Sequence, residues 1–353
     1  MATDTGFFGK RFDSIQALRA VSIIFVMLTH VPALGIGAFG VDIFFVISGF
    51  MMMYTTHVNL HAGEDFSEAA KRTNRRFLLK RIIRIIPLYY AITIFTYVMI
   101  LVFPNMFVDT DPNPVYLLKS FLFIPYNIGN TAMPIVRVAW SLNYEILFYL
   151  LFFVSLKISS KYRGLICSGI LIVLGVIGAI VNFKFDFLEF WTGELIIEFA
   201  FGMGAYYLCK SLYAKMKQVK ESKSAPAVAA LLILLSAFLL FVMIKFGDKV
   251  DSFTFARLIG WGIPAFFIFI SVFFAGVLIP VPSFLKRIGD MSFSVYLLHY
   301  YPVVLMARAS ENFDSLFMRI GCVVAGIIAA FLISEAGYFI FEKKLAGSIR
   351  KFM

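Results

Sequence analysis

Apolar residues come in long blocks separated by short charged clusters along almost the whole chain. A membrane-spanning helix needs about 17–25 mostly apolar residues, and ten blocks meet or approach that length: 15–34, 37–54, 85–103, 139–156, 165–181, 190–208, 226–244, 257–279, 289–307 and 318–341. The pattern predicts an all-α, polytopic membrane protein, a bundle of about ten transmembrane helices. A shorter apolar stretch at 115–125 is broken by Lys119 and Pro125 and reads as an interfacial or re-entrant piece. The first block follows Lys10 and Arg11 but has no A-x-A-like cleavage site, so it reads as a retained helix. The segments between blocks, the longest being 55–84 and 104–138, are too short for a soluble core, so residues 1–353 form a single transmembrane domain with no appended soluble domain.

Composition agrees with this frame. Hydrophobic residues make up 61% of the 353 and charged residues 15%, against about 25% charged in soluble domains. So apolar a chain is not disordered. Three widely spaced cysteines (Cys167, Cys209 and Cys322) in apolar blocks give no disulfide framework and read as packing residues. The net charge of +11 invites a nucleic-acid reading, but its distribution argues against one. With ten spans and both termini cytoplasmic, 23 of the 32 Lys and Arg residues fall on the cytoplasmic side and 8 on the other, with Arg19 inside the first span. That is the positive-inside asymmetry of a membrane protein.

Candidate chemistry lies in polar residues where lipid is expected, since each is costly there unless partnered or employed. The first span holds Arg19 and His30, eleven residues apart. At 3.6 residues per turn they share a face, about 16 Å apart along the axis. With the N-terminus inside, Arg19 sits near the cytoplasm and His30 towards the far side. An imidazole suits proton abstraction from a hydroxyl at neutral pH. The second span reads GAFGVDIFFVISGF, with Asp42 at its start and Ser48 within it; Asp42 orients His30, pairs with an arginine, or serves as a helix N-terminal charge that favours the dipole. Arg81 and Arg84, in KRIIRIIPLYY, lie one turn apart at the membrane boundary, with Pro87 kinking the entry to the third span. Paired guanidinium groups at that depth suit phosphate, whereas Lys71, Arg72, Arg75 and Arg76 read as membrane anchoring.

The fourth span places Ser141 and Glu145 on one face, and the ninth places Ser292, Tyr296 and His299 on another. Glu194, Glu198 and Glu335 are further acids inside apolar blocks. His57 and His61, four apart near Glu64, read as a solvated loop and not as metal ligands. The chain has no Walker-type loop, no GxGxxG, no CxxC and no HExxH. No metal is expected.

Five stretches, in this order, carry a resemblance to the acyltransferase 3 family: Arg19 to His30; GAFGVDIFFVISGF; KRIIRIIPLYY; AWSLNYEILFY; and IGDMSFSVYLLHYYP. The likeness runs from about Phe12 to Phe341. It implies an integral membrane O-acyltransferase, of the stand-alone exopolysaccharide or O-antigen type, in a bacterial plasma (inner) membrane. The donor implied is cytoplasmic acyl-CoA, usually acetyl-CoA, and the acceptor a hydroxyl on a surface glycan or lipid-linked sugar. Arg19 and His30 match the family's essential pair, and Arg81 and Arg84 its cytoplasmic arginine motif, which would hold the CoA phosphates. On this reading His30 is the general base, with Asp42 or Glu145 orienting it, or it carries the acyl group covalently. Arg19 holds part of CoA or the developing charge on the thioester oxygen. Ser48, Tyr296 and His299 join Arg81 and Arg84 as candidate donor contacts. Buried charges suit a secondary transporter or exporter of a glycan or small anion equally well, and turnover of acyl-CoA separates the two.

Overall fold

The computed structural model describes residues 6–31, 34–57, 66–104, 111–128, 131–132, 134–181, 183–250 and 252–350. They are almost entirely helical; a two-residue antiparallel pairing joins β1 (Asn127–Ile128) to β2 (Thr131–Ala132). Helices dominate because a segment in lipid must satisfy its backbone hydrogen bonds internally. Seven stretches are long and apolar enough to cross a membrane by themselves: Phe77–Val102, Arg137–Ile158, Arg163–Ile180, Asp186–Lys220, Ala225–Phe246, Leu258–Leu278 and Leu316–Ile349.

The helices sort into an outer set and an inner set. Helix α9 (Ala225–Phe246) and helix α14 (Leu316–Gly337) expose apolar side chains such as Leu231, Leu234, Phe317 and Leu332, as lipid-facing helices do. The inner set comprises α1 (Asp13–Thr29), α2 (Gly40–Thr55), α8 (Ile197–Lys220) and α10 (Ile263–Leu278), which pack on one another. Glycine sets the closest of these crossings. A Cβ at Gly49 of α2 would strike the Phe199 carbonyl of α8, and one at Gly202 of α8 would strike the Val46 carbonyl of α2. Small residues let two backbones meet in this way.

Three segments are short for a membrane span. Helix α1 has 17 residues and α2 has 16. The expected block 289–307 is divided at His299 into α12 (Ser292–Leu298) and α13 (Tyr300–Ser310). The His299 ring engages the carbonyls of Val295 and Tyr296, and Pro302 has no N–H to return to the preceding turn. The expected 55–84 loop is also modified. Helix α3 (Phe66–Val102) begins well before the apolar block and continues through Pro87, since the charged half is built of good helix formers. The 115–125 stretch contains the eight-residue helix α4 (Pro114–Phe121), capped by the Asn113 side chain on the Val115 N–H at 2.9 Å.

Candidate active site

The polar residues singled out from sequence cluster on the short inner helices and on the helices facing them. A cleft of about 740 Å³, counting its open mouth, lies between α1, α2, α3, α12 and α5 (Trp140–Ile158). Arg19, Arg81 and Arg84 line it together with a single carboxylate, Glu145. The Arg19 Nε donates to Ser292 Oγ at 3.0 Å, and Arg81 Nη2 donates to Thr55 Oγ1 at 3.0 Å. Glu145 accepts hydrogen bonds from Ser48 Oγ at 3.1 Å and from the Tyr149 hydroxyl. Three guanidinium groups against one carboxylate give the walls a positive potential, which low-dielectric surroundings concentrate.

A second cleft, of about 600 Å³, adjoins the first, because Arg19 and Arg84 line both. Its other walls include Gln16, Asp290, Tyr338 and Glu342. Charged residues from distant parts of the chain meet at this end: Arg11 on Asp290 at 2.8 Å and Lys286 on Asp13 at 3.2 Å. The hydrogen bond to Asp290 raises Arg11 further above its ordinary range. Arg11 and Lys286 are both residues that the charge distribution assigns to the cytoplasmic side.

Tyr296 lines the main cleft from α12, its hydroxyl donating to the Val138 carbonyl and accepting from Ser141 Oγ at 2.7 Å. Three residues on, where the helix breaks, is His299. His299 does not line the cleft; its ring is fully buried and lies against His30, with centroids 5.0 Å apart. His299 Nε2 is 3.2 Å from His30 Nδ1, which is also 2.9 Å from the Val26 carbonyl. The last turn of α1 makes that carbonyl available, because the His30 N–H bonds to the Met27 carbonyl. Tyr300 packs edge-on to His30 at 5.3 Å. The half-buried His30 therefore stands beyond the cleft, at the opposite end of α1 from Arg19.

Neither carboxylate expected near His30 touches it. Glu145 is held in the cleft by Ser48 and Tyr149. Asp42 is fully buried and bound bidentately by Arg257, from Nε at 3.0 Å and Nη2 at 2.9 Å, so of the roles open to it from sequence it takes the arginine pair. Arg257 also stacks over Trp261 at 4.9 Å, next to a turn of π-helix (Leu258–Gly262). Glu194 accepts from the Leu258 N–H at 3.3 Å, Glu198 is buried beside Asp42 and Arg257, and Glu335 pairs with Arg287.

Arg257 and Tyr149 are absent from the sequence-based candidates. Tyr149 carries a findable signal, four residues after Glu145 in one helix. Arg257 carries little, since 215 residues separate it from its partner. His57 stacks on Phe8 at 3.5 Å, while His61 and Glu64 lie outside the described residues. Among the described residues no group of His, Cys, Asp and Glu is arranged to hold a metal ion.

The comparisons with known proteins bear on the whole chain. The model of a family described as an acyltransferase domain matches residues 12–335. The exopolysaccharide production protein ExoZ of Rhizobium meliloti is similar, with 27% identity over 320 residues that cover 88% of this chain and 90% of ExoZ. No solved structure matches the chain.

Proposed function

The chain belongs to this acyltransferase family, and from that membership we propose that it transfers an acetyl group from cytoplasmic acyl-CoA to a sugar hydroxyl of an exopolysaccharide or its lipid-linked precursor. One observation carries the reading. A cleft lined by three arginines runs into the bundle from the basic end of the molecule and stops about one helical turn from an imidazole pair. Phosphates of the donor match the guanidinium groups of Arg81 and Arg84, and the pantetheine arm runs on past Arg19 and Tyr296, which line the same cleft. Ser48 and Tyr296 border that arm, and Glu145 orients Ser48 and Tyr149 along it. His30 removes the proton of the acceptor hydroxyl as its oxygen attacks the thioester carbonyl. The C–S bond then breaks, and the departing thiolate takes the proton back from His30. Arg19 stabilises negative charge on the donor side. The polysaccharide acceptor is suggested by the name of the Rhizobium meliloti relative; a bacterial inner membrane, with both chain ends in the cytoplasm, is part of the same proposal.

The test is transfer in sealed vesicles of known orientation. Labelled acetyl-CoA is expected to support transfer only from the side bearing Lys10 and Arg11, with product on acceptors confined to the opposite side. Movement of glycan without acyl-CoA turnover would replace the enzyme reading with transport. Arg81→Ala and Arg84→Ala are each expected to raise the donor KM by about 10- to 100-fold, the worth of one hydrogen bond to a charged group. With an acyl-pantetheine donor, which lacks the nucleotide phosphates, the increase should vanish. An equal loss with both donors would make these arginines structural.

A further inference from the structure

We propose that His299 is the positioning residue of the reaction: it fixes the His30 ring with its proton on Nδ1 and leaves His30 Nε2 as the nitrogen that meets the acceptor hydroxyl. The inference rests on His30 as the base and adds which atom acts and what holds it. Hydrogen positions follow from the chemistry of the neighbours. His299 Nδ1 lies 2.9 Å from both the Val295 and the Tyr296 carbonyl oxygens. Carbonyls only accept, so this nitrogen carries a hydrogen. The ring is fully buried among carbonyls and a second imidazole, where a positive charge is costly, so it is neutral and its Nε2 is a bare acceptor.

That acceptor is 3.2 Å from His30 Nδ1, and the other neighbour of the same atom is the Val26 carbonyl at 2.9 Å. Both neighbours accept. The reverse pair of tautomers would keep the hydrogen bond between the rings but set lone pair against lone pair at all three carbonyl contacts. His30 Nδ1 therefore carries the hydrogen, and neutral His30 presents its lone pair on Nε2. The Val295 carbonyl serves twice, since it also accepts the backbone N–H of His299 at 2.9 Å. An imidazole thus takes the place that a carboxylate holds in many catalytic pairs. It orients the base without adding a negative charge near an anionic donor.

The experiment compares His299→Leu, which keeps bulk but removes the acceptor, with His299→Gln, whose amide oxygen reaches about where Nε2 stood. Loss of kcat by about 10- to 100-fold is expected for Leu, the range found when outer partners that orient an imidazole are removed. The acyl-CoA KM should not change, and Gln should recover most of the loss. An unchanged kcat in the Leu variant would overturn the proposal, as would equal loss in both variants. A readout on the unmodified protein stands apart from folding of the variants. In 15N-histidine-labelled protein, at a pH where the rings are neutral, the His30 resonance (identified by its absence in His30→Asn) should show protonation at Nδ1. Protonation at Nε2 would refute the assignment. Transfer surviving in His30→Asn would instead remove the general-base reading itself, so the two failures are distinguishable.

Discussion

Replacing His30 with Asn is expected to reduce acyl transfer by about 10²- to 10⁴-fold, the contribution of a positioned general base, while leaving the folded protein intact. Asn is the informative choice. Its amide nitrogen lies near the Nδ1 position and can still donate to His299 Nε2, but it has no basic nitrogen to take a proton. His30→Ala removes the base too, but it also strands the buried His299 acceptor, at about 1–3 kcal/mol. Activity measured beside thermal unfolding in detergent separates the effects: both variants should be inactive, and only Ala should melt lower. Retention of more than about a tenth of the activity by Asn would end the general-base role.

The largest stability effect is expected at Arg257. Its guanidinium is bound to Asp42 and lies beside Glu198, so Arg257→Met leaves a buried, uncompensated carboxylate. Breaking a buried pair from one side costs about 3–5 kcal/mol, whereas replacing both partners with apolar groups is often neutral. Arg257→Met should therefore unfold far more readily than the wild type, and addition of Asp42→Leu should restore much of the loss. Thermal unfolding of the single and double variants in detergent decides the matter. If the double variant were as unstable as Arg257→Met, the arginine would be serving Glu194 and Glu198 instead of Asp42.

The architecture was legible wherever lipid dictates it. An apolar block long enough to span must be helical, and the described structure has helix in each of the ten blocks. Spacing within one helix was legible as well: Arg19 and His30 share α1, and Ser141 and Glu145 share α5. Contacts between helices were not, because periodicity carries no information about which face meets which neighbour. Ser48 reaches Glu145 across 97 residues, and His30 reaches His299 across 269. His299 shows a different limit. Spacing puts it near the face of Tyr296, which lines the cleft, yet its ring lies against His30 and outside the cleft lining. The loop expected at 55–84 failed for a simpler reason, since charged residues with good helix propensity prolong α3 outside the apolar block.

The bond between Asp42 and Arg257 also governs how the protein can be made. Asp42 emerges from the ribosome 215 residues before the arginine that neutralises it, and Arg19 emerges 273 residues before Ser292. Intramembrane charges of this kind are disfavoured in lipid until partnered. The first two helices thus stay incompletely paired until the last third of the chain has been made, so their polar contacts close only when the late helices join the bundle.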